Sequence, residues 1–151
     1  ALVVGVHHRD QAGIAGALAP TPVAIPGIRR VFWCGGEDGL ADELALKTAE
    51  TTGLPGFACT GTTALHGVEE LWEANDLIVD LGFAAVDAAD LAKRVTKTKA
   101  RLVRLPALAE DVWAPLDRLC AAWRLLDVQA LALGRDPAVP SRVLKVGNPL
   151  P

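Results

Sequence analysis

Val31-Phe-Trp-Cys34-Gly35-Gly36-Glu37-Asp38 runs directly into Gly39-Leu-Ala-Asp-Glu43-Leu-Ala-Leu-Lys47-Thr-Ala-Glu50-Thr-Thr52 and then Gly53-Leu-Pro55. A continuous apolar run closed by two glycines reads as a strand covered on both faces. The following segment has a helical pattern, predicted over Gly39–Thr52, with Asp38 as its N-cap and Gly53 and Pro55 as its stop. This strand–turn–helix unit sets the reading of the chain.

Working outward, similar apolar runs at Leu2–Val6, Gly56–Cys59, Leu77–Leu81 and Arg101–Leu105 predict four more strands. Helical patterns fall at Gln11–Ala19, Gly67–Ala74, Ala88–Lys97 and Pro115–Leu133, with Pro115 at a first helical position and Gly134 as a C′ residue. Strands alternating with helices point to an α/β fold, a three-layer αβα sandwich on a parallel five-stranded sheet. Pro20 to Gly27 is the obvious linker-like stretch. The expected organisation is a segment 1–30, a core lobe 31–134 and a tail 135–151.

The 151 residues suit one domain, and no apolar stretch approaches the length that crosses a bilayer. Ala1-Leu-Val-Val-Gly-Val lacks a charged leader region and reads as a strand. A net charge of −3 without a dense basic cluster argues against nucleic acid as a partner. Lys93, Arg94, Lys97, Lys99, Arg101 and Arg104 form a local basic stretch, read as a solvated helix face and strand flank. Cys34, Cys59 and Cys120 are widely spaced and form no C-x-x-C pair, so they are read as core residues in a reducing cytoplasm, with neither a disulfide framework nor a zinc site. His7 and His8 are read as strand-end residues. No cofactor or metal is expected.

Glu43, Lys47 and Glu50 stand at i, i+4 and i+7, on one face of their helix. Such a triplet is either a solvated face with an ion pair or a lysine and carboxylate set for proton transfer and imine chemistry on a carbonyl. Ligands of open α/β sheets bind at the carboxyl ends of the strands. Two strand ends offer candidate anion cradles there: Gly35-Gly36, and Cys59-Thr60-Gly61-Thr62-Thr63. Glu37 and Asp38 would repel a phosphate at the first, and the threonines of the second suit plain turn and cap roles equally well.

The order of the glycine turn, the E-x-A-L-K-x-x-E helix of Glu43 to Glu50, His66-Gly67, the long apolar helix and a lysine after a proline (Pro140 to Lys145) resembles the sugar isomerase (SIS) domain family. The likeness is to the second SIS lobe of the isomerase half of glucosamine-6-phosphate synthase, over roughly Val31 to Val146. It implies a flavodoxin-like lobe acting on a sugar phosphate, with Glu50 shuttling a proton between C1 and C2 of an open-chain hexose phosphate. Lys47 would stabilise developing enolate charge, His66 would assist ring opening, and Lys145 would form an imine with a keto sugar. Glu43 is left as a helper or ion-pair residue and stands with Gly35, Gly36, Thr60, Thr62 and Thr63 among the substrate-binding residues.

The resemblance also implies a homodimer in which the histidine reaches the neighbouring subunit's site. The short helix after His66 carries Val68, Leu71 and Trp72, which would pack either on such a partner or in the core. The family's serine- and threonine-rich phosphate loop has no counterpart here, and residues 1–30 depart from the pattern. A non-catalytic phosphosugar sensor, or one lobe of a larger isomerase, therefore stand as alternatives. No glutaminase module or amino-terminal cysteine is present, so ammonia release from glutamine is not expected of this chain.

Overall fold

The computed structural model describes residues 22–139 apart from 37, 106, 108 and 109. The expected strand Leu2–Val6, helix Gln11–Ala19, His7, His8 and Lys145 lie outside the described residues. Four strands, β1 (Arg30–Gly35), β2 (Gly56–Thr60), β3 (Asp76–Asp80) and β4 (Arg101–Arg104), form a sheet in the order β2-β1-β3-β4. Every pairing is parallel, with Val31 opposite Gly56 and Leu77, and Leu77 opposite Arg101. Three helices, α1 (Leu40–Thr52), α2 (Ala85–Thr98) and α3 (Ala114–Ala132), cover the two faces.

Alternation along the strands divides the core. Val31, Trp33, Leu77 and Val79 pack against Leu40, Ala41 and Leu44 of α1 and Ala122, Leu125 and Leu126 of α3. Phe32, Cys34, Cys59 and Ile78 face the other way, onto Ala64, Trp72, and Leu91 and Val95 of α2. The result is the expected α/β sandwich, and Cys34 and Cys59 are the core residues the sequence implied, both free. Hydrogen bonding to Cys59, followed by burial, pushes the Cys34 thiol up.

The helix ends follow local chemistry. Gly39, not Asp38, occupies the N-cap of α1, in the left-handed region, while the Asp38 carboxylate accepts the Leu40 N–H at 3.0 Å. Gly53 closes the helix at φ 72, as expected. Lys99, a residue without glycine's freedom, ends α2 at φ 62.

The helix expected over Gly67–Ala74 does not form; this is a correction. Two 3₁₀ turns, Gly61–Leu65 and Val68–Leu71, take its place, with Gly67 at φ 90 between them. The turn ends because Arg30 donates to the Leu71 carbonyl at 2.7 Å and Trp72 becomes extended. Its indole is then buried edge-on to Phe32. Trp72 is thus a core residue and not a surface anchor. The basic stretch is also more engaged than expected: Arg94 pairs with Asp90 and Glu69, Arg101 donates to the Pro26 carbonyl, and Arg104 donates to the Phe83 carbonyl and lies 3.4 Å from Asp80.

Three polar contacts tie distant segments. Arg30 grips the buried Asp76 carboxylate with two nitrogens, at 2.8 and 2.6 Å, across the feet of β1 and β3. The Gln129 amide of α3 both accepts from the Ile25 N–H, at 2.9 Å, and donates to its carbonyl, at 3.2 Å. The buried Trp33 indole N–H donates to Thr48 Oγ1 at 2.8 Å, and that hydroxyl donates to the Leu44 carbonyl.

Thr48→Val preserves shape but strands the indole N–H in the core. It should cost about 1–3 kcal/mol. Urea unfolding should show a lower midpoint at an unchanged slope; an unchanged midpoint would mean that the hydrogen bond contributes nothing net.

Candidate active site

The α1 helix buries Leu40, Ala41, Leu44, Thr48 and Thr52. Those positions leave Glu43, Lys47 and Glu50 on the outer face, together with Leu46, which is 54% exposed. Lys47 Nζ lies 2.6 Å from Glu50 Oε2 and 3.9 Å from Glu43 Oε1. The three side chains expected on one face are therefore in contact, with Lys47 shared between two carboxylates. Its hydrogen bond to Glu50 holds the ammonium above the ordinary lysine value; partial burial opposes this, and the charges of Glu50 and Glu43 add to it. Lys47 is accordingly a cation at neutral pH, suited to stabilising an oxyanion and unsuited to nucleophilic attack.

The remaining expected residues lie elsewhere. Gly35, Gly36, Thr60, Thr62, Thr63 and His66 all sit at or beyond the carboxyl ends of β1 and β2. Gly35 has a packing reason to be glycine, since a Cβ there would lie 2.9 Å from Leu81 Cβ, whereas Gly36 faces open space. Thr60 adopts an extended conformation ahead of the first 3₁₀ turn and makes no capping hydrogen bond. His66 is exposed, and its backbone N–H donates to the Thr63 carbonyl at 3.3 Å.

Glu50 and His66 are not brought together within one chain. The α1 helix descends from the carboxyl end of β1, and Glu50 stands about 15 Å down its axis from Leu40 at 1.5 Å per residue. The His66 turn begins at the opposite end of the sheet, and its neighbours Ala64, Leu65 and Val68 pack into the opposite layer. A hollow of about 480 Å³ in that second layer, between Glu69, Trp72, Asp90, Lys93, Arg94 and Lys97, includes none of the expected site residues.

The strand ends also carry buried charge that the sequence reading passed over. Asp80 closes β3 with its carboxylate accepting the Gly82 and Phe83 N–H groups at 2.8 and 3.0 Å. Arg118, in the first turns of α3, is 5% exposed and rests its guanidinium against Gly82. The available signal was a glycine directly after a buried strand, where close approach of another group is expected. Among the described residues no group of His, Cys, Asp and Glu could hold a metal ion, and no helix is long and apolar enough to cross a membrane.

No family model and no curated protein matches the sequence. Solved structures do. Glucosamine-6-phosphate deaminase from Thermotoga maritima superposes with a TM-score of 0.72 at 16% identity, over 95% of this chain and 51% of that one. What the two share is the fold, an α/β sandwich on a central parallel sheet. A glucose-6-phosphate isomerase-like protein from Thermus thermophilus matches with a TM-score of 0.51 at 18% identity, over 73% of this chain and 42% of that one. The C-terminal domain of glucosamine-fructose-6-phosphate aminotransferase from Francisella tularensis gives 0.55 at 19%, over 89% and 43%. The likeness in fold is thus shared by these three proteins and is not specific to a synthase lobe. The chain spans about half the length, or less, of each of these proteins.

Because its folded-state pKa is raised, any stability Lys47 contributes is present in full below the unfolded lysine range and lost as pH rises through the folded value. Lys47→Met should cost under about 1 kcal/mol at neutral pH, as exposed pairs do. The difference from the unmutated protein should vanish in strongly alkaline solution. Urea titrations across that range check both; a gap that persists would assign the effect to packing of the lysine stem.

Proposed function

We propose that this chain is a phosphosugar-isomerase lobe catalysing aldose–ketose interconversion of a hexose 6-phosphate or amino-sugar phosphate. The observation that carries the reading is the Lys47–Glu50 contact, at 2.6 Å, on the outer face of a helix in a fold shared with a glucose-6-phosphate isomerase-like protein. In this mechanism the Glu50 carboxylate removes the C2 proton of the open-chain aldose and returns it to C1. Lys47 offsets the negative charge that gathers on the enediolate oxygens. His66 assists ring opening by proton exchange at the ring oxygen, for which imidazole suits neutral pH. The threonines Thr60, Thr62 and Thr63 and the Gly35-Gly36 turn, at the same end of the sheet as His66, supply hydroxyl and N–H donors to the substrate from the neighbouring subunit, as His66 does. Lys145 completes the tail as the residue that forms an imine where an amino sugar is made.

Glu50 and His66 belong to opposite ends and opposite layers of one lobe, so the site we propose takes its histidine from a second subunit. The exposed Leu46 beside Glu50 gives the outer face of α1 an apolar component for such a neighbour or for a second lobe. The chain's share of the matched structures, 42% to 51%, supports a working unit that includes another SIS lobe, which would also bring the serine- and threonine-rich phosphate loop.

Glu50→Gln keeps shape and polarity but removes the base, so turnover in the active assembly should fall about 10²–10⁴-fold while phosphosugar binding changes little. Equal loss of binding and turnover would make Glu50 a positioning residue. The shared site has its own test. Mixing inactive Glu50→Gln with inactive His66→Ala subunits and allowing exchange gives half mixed dimers, each with one intact site. Activity should return to about a quarter of the unmutated level, by two-fold pairing. Activity that stays at the single-mutant level after demonstrated exchange means that His66 serves its own chain.

A further inference from the structure

Arg118 occupies an unusual position for a guanidinium. It is 5% exposed, yet an arginine stays charged at any working pH, so burial demands a partner for its N–H groups. Its ion pair is with Glu110, whose two oxygens lie 2.5 and 2.6 Å from the same nitrogen, Nη2. Among the described residues, Nε is buried without a hydrogen-bond acceptor. The planar fork that takes a carboxylate or phosphate side-on is therefore only partly used. The partner itself is 71% exposed and rides on the segment between β4 and α3. Asp80 does not substitute for it, since its carboxylate is engaged by the Gly82 and Phe83 N–H groups and by Arg104.

The place is as telling as the pairing. Gly35 at the end of β1 packs against Leu81, and Gly82 next to it lies under the guanidinium, where any side chain would collide with Arg118. In the order β2-β1-β3-β4, the chain leaves β1 to one side for β2 and returns to the other side for β3. The guanidinium thus stands at the crevice between the carboxyl ends of β1 and β3, the switch point where open α/β sheets receive ligands.

We propose that Arg118 is an anion site for a phosphate monoester group, closed in the free protein by the Glu110 carboxylate. The incoming phosphate displaces Glu110 from Nη2 and reaches Nε as well, and Glu110 returns to solvent. No bond is made or broken in the step. It is independent of the isomerase reading, because it requires only the crevice and the guanidinium.

Inorganic phosphate is the probe, titrated calorimetrically into the purified chain at fixed low salt. Glu110→Gln removes the competing charge and should tighten binding about tenfold, the equivalent of one charge-assisted hydrogen bond. Glu70→Gln, the same charge change on the exposed second 3₁₀ turn, should leave the affinity as it was. Arg118→Lys keeps the charge but loses the fork and should weaken binding about tenfold or more. Equal effects of Glu110→Gln and Glu70→Gln, or undiminished binding to a folded Arg118→Lys protein, would overturn the proposal. Should Arg118→Lys fail to fold, the comparison of the two glutamine variants decides. Failure here leaves the Glu50→Gln turnover test unaffected, so the two readings can fall separately.

Discussion

Burial of β1 on both faces is the constraint from which the architecture follows. Phe32, Trp33 and Cys34 are wholly inaccessible, and they point alternately to the two sides of the sheet. Neither face can meet water, so helices are required on both. The α1 and α3 helices answer Val31 and Trp33, and α2 with the 3₁₀ turns answers Phe32 and Cys34. The Trp33–Thr48 hydrogen bond then fixes the rotation of α1 about its axis. That rotation decides which residues are left outward, and Glu43, Lys47 and Glu50 are among them.

The same geometry divides the chemistry. A helix that leaves the carboxyl end of a strand must run back toward the foot of the sheet, carrying its last turn away from the loops where ligands gather. Glu50 travels with that last turn, and His66 does not. If Glu50 and His66 act on one substrate, as proposed above, an isolated lobe cannot bring them together, and two lobes or two subunits must associate. At the strand ends, by contrast, the charges of Asp80, Arg104 and Arg118 converge within one chain.

The fold was largely legible because its determinants are local. Continuous apolar runs marked the four described strands to within a residue or two, and Gly53 and Gly134 marked helix ends, both with positive φ. The segment after His66 misled because Val68, Leu71 and Trp72 have helical spacing, whereas a long-range contact from Arg30 and the pull of the core on Trp72 decide its conformation. The Glu43–Lys47–Glu50 contact was readable from spacing alone. The separation of Glu50 from His66 was expected only through the family resemblance, since sequence order by itself says nothing about which layer a turn enters. Arg118 escaped notice because Asp117-Arg118 at a helix start looks like any solvated first turn. Only its contact with Gly82, distant in sequence, reveals its burial.

The Gln129 amide pairs with the backbone of Ile25 as a neighbouring strand would, accepting its N–H and offering an N–H to its carbonyl. The two residues are separated by 104 positions. During synthesis from the amino end, the lead-in to β1 emerges long before the side chain that holds it. Sheet pairs between β1 and β2 can form early, and Arg29 and Pro26 meet Asn75 and Arg101 before α3 is made, but the Ile25 backbone lacks its amide partner until nearly the whole of α3 has left the ribosome. The lead-in to β1 is thus fully held only once Gln129 has been made, and a chain halted within α3 before it would leave the Ile25 backbone without its amide partner.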